Sequence, residues 1–271
     1  MRIYAIANQK GGVGKTCDTV NLSAALAERG QRVLAIDWDP QGHLTEAIGA
    51  QPAPSGSGAA NLPRALLGEW RGELSDLVQQ AAGGLYVVPT SDDMFLLEPL
   101  MYAKVGREFL LSRFLDALVD VFDAVVIDCP PSLGALNDSA LVAARKRPAE
   151  DPVQGTILIP VQAEDSSIRA LRLFLRQVTT LQDGLEVRFD IAGLVVNLYD
   201  PRKGRIATST MEAFQNHPLG VLAVFKDLKE VRESWRLHTT VFDHAPDSEI
   251  AHGFRALANR LDPELAPAAA S

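Results

Sequence analysis

The sequence predicts an α/β protein with a mostly parallel, twisted sheet covered by helices on both faces. Short apolar runs alternate with segments of helical periodicity along the chain, the order that builds strand–helix–strand crossovers. The runs are nearly continuous in apolar residues, as in Ala124-Val125-Val126-Ile127, which suits strands buried on both faces. A glycine-rich turn joins the first run to the first helical segment, a junction suited to gripping an anion.

The 271 residues are 47% hydrophobic and 22% charged, enough to bury a large core. No apolar run approaches the ~18 residues of a membrane-spanning helix. The first residues are already strand-like, so neither a leader peptide nor a preceding helix-turn-helix unit is expected. Cys17 and Cys129 form no C-x-x-C pair, and a reducing cytoplasm is the simplest setting. The formal net charge is −8, so any nucleic-acid affinity has to come from a local basic patch.

The predicted strands are 2–7, 32–37, 85–89, 123–128, 156–161, 191–197 and 220–225. Helical periodicity is evident at 15–29, 107–120, 166–181 and 247–261. Residues 50–60 are small and turn-rich, and 145–155 form a charged, proline-containing loop. Residues 1–262 are read as one domain and 263–271 as a disordered tail.

After the first strand comes Lys10-Gly11-Gly12-Val13-Gly14-Lys15-Thr16. Glycines let backbone N–H groups close around phosphate oxygens, and the helix N-terminus adds positive potential. Lys15 is expected at the β- and γ-phosphates, and the Thr16 hydroxyl on Mg²⁺. The second strand ends in Asp37-Trp38-Asp39-Pro40-Gln41-Gly42-His43, and ligands of parallel sheets sit beyond the carboxyl ends of the strands. The fourth long run ends in Asp128-Cys129-Pro130-Pro131, which positions Asp128 for Mg²⁺. Cys129 reads as a small buried residue.

Together these stretches resemble the ParA/MinD family of P-loop ATPases, whose phosphate loop is a deviant Walker A motif: a lysine, here Lys10, stands ahead of the glycine pair. The resemblance extends to Ile159-Pro160-Val161-Gln162-Ala163-Glu164 and to Val195-Val196-Asn197-Leu198-Tyr199-Asp200-Pro201-Arg202. It implies a P-loop NTPase fold that uses ATP and Mg²⁺, with Gly11, Gly12, Val13, Gly14, Lys15, Thr16 and Cys17 around the phosphates. It also implies that Lys10 crosses an ATP-bridged homodimer, that Asp39 orients or deprotonates the attacking water, and that Asp37 holds the Mg²⁺ hydration shell. Asn197 has the donor and acceptor that an adenine edge requires, although a polar strand end is an equal reading. The chain departs from the family at Cys17 and Asp18, where threonines are usual, and at His43, where asparagine is usual. Cys17 is a poorer phosphate donor than a hydroxyl, and Asp18 is expected to point away from the phosphates.

The resemblance further implies a ParA-type partition ATPase with slow basal turnover, stimulated by a ParB-type activator. Its ATP dimer is expected to hold DNA non-specifically, in a cytoplasmic, nucleoid-associated setting. Lys229, Arg232 and Arg236 match the region where such proteins contact DNA. Arg169, Arg172 and Arg176 form a second basic face, and Arg202, Lys203 and Arg205 a third. The alternative, a MinD-like membrane-cycling ATPase, calls for a basic amphipathic helix at the C-terminus. Here Ile250, Phe254, Leu257 and Leu261 make an apolar stripe with few cations nearby, so a docked helix and no membrane contact are expected. An iron–sulfur reductase with the same loop would need cluster cysteines that the chain lacks.

Overall fold

The computed structural model describes residues 1–263. Its strands are β1 (Arg2–Ile6), β2 (Val33–Asp37), β3 (Gln79–Gln80), β4 (Tyr86–Val88), β5 (Ala124–Asp128), β6 (Gln154–Gln162), β7 (Ile191–Tyr199) and β8 (Val221–Lys226). The helices are α1 (Lys15–Glu28), α2 (His43–Ala47), α3 (Leu62–Leu67), α4 (Met94–Met101), α5 (Leu110–Asp116), α6 (Ala135–Ala143), α7 (Asp165–Leu185), α8 (Arg205–Gln215), α9 (Lys229–Arg236), α10 (Val241–His244) and α11 (Glu249–Leu261).

The eight strands make one sheet in the order β3-β4-β2-β5-β1-β6-β7-β8. Every pairing is parallel except β3 with β4. Successive residues of a strand point to opposite faces, and here both faces are apolar. Ile3 and Ala5 of β1 pack with Leu136 of α6 and Phe174 of α7, while Tyr4 and Ile6 pack with Leu22 of α1 and Phe254 of α11. The apolar stripe of α11 is therefore core: Ile250, Phe254 and Leu257 are buried, and Phe254 stacks on Phe225 with ring centroids 4.2 Å apart.

All seven expected strands are present. Two departures have local causes. The expected helix over 107–120 is reduced to α5 preceded by a tight turn at Arg107–Phe109, because the backbone at Phe109, with φ −97° and ψ 2°, leaves α-helical geometry between the two. β3 has no apolar signature at all; its two glutamines pair antiparallel with β4 at the sheet edge. Residues 264–271, most of the expected tail, lie outside the described residues.

β1 is central, between β5 and β6, with β2 beyond β5. Chain order reverses across β1, and a crevice for ligands opens at such a switch point. The loops that leave β1, β2, β5 and β7 all emerge at this end.

Candidate functional site

The loop from β1 to α1 holds its shape through left-handed glycines, with φ of +73° at Gly12 and +95° at Gly14. At Gly14 the constraint is double, because an added Cβ would lie 2.6 Å from Asn197 Nδ2. Flanking side chains buttress the loop. Asn8 Nδ2 donates to the Pro160 carbonyl, Asn8 Oδ1 accepts from Lys10 N, and Gln162 Nε2 donates to the Gly12 carbonyl at 2.6 Å. Lys15 is buried, its Nζ arched onto the Lys10 carbonyl at 3.1 Å. Burial holds its pKa below the usual lysine range.

Register sets the acidic side of the site. Asp37 ends β2 directly beside Asp128, which ends β5 and itself pairs with Ile6 of β1. Thr16 Oγ1 donates to Asp128 Oδ2 at 2.7 Å, so the first turn of α1 meets the end of β5. Asp37 Oδ2 accepts from Thr45 N at 2.7 Å and from the Thr45 hydroxyl, while its Oδ1 is buried without a partner. Burial drives the Asp37 carboxyl up to about 7, against the pull of the Thr45 hydrogen bonds. Burial and then the charge of Asp37 raise Asp128 as well. Asp39 is buried beside them, with Oδ1 accepting from Gln41 N at 3.0 Å.

These residues suit Mg²⁺. The ion takes hard oxygen donors and keeps several waters, so one or two carboxylates, a hydroxyl and phosphate oxygens suffice. Thr16 and Asp128 supply such donors, and the orphaned Asp37 Oδ1 is free to hold a ligand water. Among the described residues no cage of three or more His, Cys, Asp or Glu side chains is formed. An all-protein site of the kind that calcium prefers is thus not built there.

Beside the loop lies a crevice of about 180 Å³, lined by Gly14, Cys17, Asn197, Leu198, Phe225, Val231 and Arg232 among others. Its walls are mostly apolar. Leu198 stands in the left-handed region at φ +53°, a bulky residue in a strained conformation where β7 slips register against β8; such outliers cluster at binding sites. Cys17 lines the crevice, and desolvation keeps its thiol protonated. Asp18 does not face outward. It is 1% exposed and turned beneath the loop onto Asn197. Asn197 Nδ2 in turn donates to the Val13 carbonyl at 2.9 Å.

Lys10 sits at the rim. Its Nζ donates to Glu164 Oε2 at 2.6 Å and Ser166 Oγ at 2.9 Å, both at the start of α7. Glu164 was legible as part of a motif, but its pairing with Lys10 was not.

The three basic groups differ in their company, and in the third Arg202 pairs with Asp200. Lys229, Arg232 and Arg236 are exposed on one side of α9, but Arg232 pairs with Asp227 and lines the crevice mouth. Arg169, Arg172 and Arg176 are exposed on α7, and none makes an ion pair among the described residues. A short bridge joins the carboxylates to α9. α2 begins straight after the Asp37–Gly42 turn. His43 meets the Trp235 ring edge-on at 6.4 Å, and His238 Nδ1 lies 2.7 Å from the Glu46 carbonyl.

Comparison with known proteins agrees with this fold. A family model described as an AAA domain matches residues 1–191. The chromosome-partitioning ATPase Soj of Thermus thermophilus is 31% identical over 265 residues, covering 96% of this chain and 95% of its own. The sporulation initiation inhibitor protein Soj of Bacillus subtilis is 34% identical over 202 residues, 74% of each chain. Among solved structures, a cobyrinic acid a,c-diamide synthase from Mycobacterium smegmatis, with bound ATP analog and magnesium, superposes with a TM-score of 0.79 at 29% identity over 100% of both chains.

Proposed function

The chain belongs to the ParA/MinD family of P-loop ATPases, and from that premise we propose that it is a ParA-type partition ATPase. The observation that carries the proposal is the convergence of Lys15, Thr16, Asp37, Asp39 and Asp128 on one loop, with Lys10 at its rim. In this reading Gly11 to Cys17 surround the phosphates of ATP, and Asn197 with the apolar crevice receives adenine.

When bound, Mg²⁺ would supply positive charge that neutralises charge developing on the phosphates. Thr16 and Asp128 would hold it, and Asp37 would orient its water shell. Lys15 carries a desolvated ammonium toward the phosphates, and its charge acts strongly where water is excluded. Asp39 orients the attacking water and accepts its proton. Turnover without a partner is slow, because no arginine finger converges on the loop among the described residues.

Lys10 then carries the second half of the proposal. In an ATP-bridged homodimer it leaves Glu164 and reaches the partner's phosphates. The dimer joins two copies of the basic surface, centred on Lys229, Arg232 and Arg236, and so holds DNA without sequence preference. A ParB-type activator speeds hydrolysis and releases DNA, which places the work in the cytoplasm, on the nucleoid. The membrane-cycling alternative is disfavoured by the burial of the α11 stripe. Co-sedimentation with DNA and with anionic liposomes, each with ATP and with ADP, tests both. DNA retention with ATP alone supports the proposal, and liposome retention without DNA retention rejects it.

A further inference from the structure

Asn197 has one amide with two faces, and its orientation decides what the crevice offers a base. Its nitrogen lies 2.9 Å from the Val13 carbonyl and 2.8 Å from Asp18 Oδ2. A backbone carbonyl accepts and never donates, so a flipped amide would set oxygen against oxygen at Val13. Both amide protons are thereby engaged. Asn197 Oδ1 makes no hydrogen bond among the described residues, and Asn197 lines the crevice. The crevice is therefore presented with an acceptor.

We propose that Asp18 is a specificity-determining positioning residue, which locks the Asn197 amide with its oxygen toward the crevice and so selects a purine with an amino group at position 6. The inference rests on the ATP reading above and adds the residue that enforces it. Adenine presents an N–H donor at that position, whereas hypoxanthine and guanine present a carbonyl. A site built around one hydrogen-bond polarity rejects the opposite polarity, because two buried acceptors then face each other. Asp18 does not touch the base; it acts through Asn197. Its other oxygen, Oδ1, is buried without a partner, a cost that packing alone does not account for. Close contact between Gly14 and Asn197 keeps the amide from swinging away.

The test compares the binding of ATP and ITP, which differ in the ring at position 6 and N1, by the wild type and two variants. Wild type is expected to prefer ATP by at least about tenfold, the worth of one well-made hydrogen bond with its unmatched counterpart. Asp18→Val removes the acceptor at similar volume and should bring that preference down several-fold through weaker ATP and stronger ITP binding. Asp18→Asn keeps an acceptor for Asn197 and should restore the preference. A ratio unchanged in Asp18→Val overturns the inference, as does a wild-type ratio near one, which can be read even if the variant fails to fold. A wild type that binds neither nucleotide overturns the ATP reading itself.

Discussion

Lys10 and Glu164 form an ion pair within one chain, Nζ to Oε2 at 2.6 Å, with the lysine side chain 22% exposed and the glutamate 50%. Ser166 and Ser167 add hydroxyls to the same ammonium. A lysine held in this way is poised at the rim of its own phosphate loop, and the ion pair has to open before the lysine reaches a neighbouring chain. An exposed pair of this kind contributes at most about 1 kcal/mol, so the proposed dimer would open it at little cost.

Lys10→Ala is accordingly expected to abolish ATP-dependent dimerisation while leaving nucleotide binding measurable. Analytical ultracentrifugation with ATP and with ADP checks this. A dimer of undiminished affinity in the variant would show that Lys10 is a surface lysine and no more.

Asp39→Ala is expected to bind ATP and lose hydrolysis by about 10²–10⁴. Its carboxylate is the buried one nearest the turn that follows β2, and it bonds no side chain among the described residues. Steady-state phosphate release decides the matter: turnover within a few-fold of wild type would remove Asp39 from the chemistry.

Stability should depend on pH in a way that the ligand reverses. Asp37 is raised to about 7 by burial, and Asp128 is raised with it. An unfolded chain titrates its aspartates near 3.9. Between about pH 4 and 8 the folded protein therefore holds more protons than the unfolded one, and stability falls as pH rises. This contribution is complete below about pH 4 and gone above about pH 8, where Asp128 too has ionised. Without nucleotide or metal, Tm should drop from pH 5 to pH 8. Mg²⁺ with ATP should recover more stability at pH 8 than at pH 5, because the cation favours the ionised carboxylates. A flat Tm profile for the ligand-free protein would contradict the burial of these two groups.

For DNA, Lys229→Ala and Arg236→Ala together should weaken binding to all sequences alike. Each lost phosphate contact lowers the log–log salt slope by roughly 0.9. Arg232→Ala is the less clean test, because Arg232 also pairs with Asp227 beside the crevice. If the double variant retains DNA at moderate salt, the surface is the row Arg169, Arg172 and Arg176 on α7.

The fold and the phosphate loop were legible because their signals are local. Apolar runs give the strands, and Lys10 to Thr16 announce the turn. The neighbouring ends of β2 and β5 were legible as two Asp-terminated runs, although their pairing in register was not. What stayed hidden depends on contacts between distant segments. Asp18 in a first helical turn looks like ordinary helix-dipole chemistry, and nothing in its spacing points to Asn197, 179 positions on. The turn after Asp39 conceals α2, a helix of five residues that is too short for periodicity to register. β3 is held by backbone pairing at an edge, with polar side chains that carry no strand pattern.

That short helix has a consequence of its own. α2 holds Asp37 from its middle residue, Thr45, and meets Trp235 through His43 at its first residue and His238 through the Glu46 carbonyl near its last. It therefore ties the carboxylate end of β2 to the basic helix α9 by contacts on three of its five residues. Gly42, left-handed at φ +73° and packed so closely that an added Cβ would lie 2.7 Å from Thr90 Cγ2, sets where the helix starts. In this protein His43, the residue that breaks the family pattern, supplies the ring at the contact with Trp235, so the departure from the family is also what joins the end of this turn to α9.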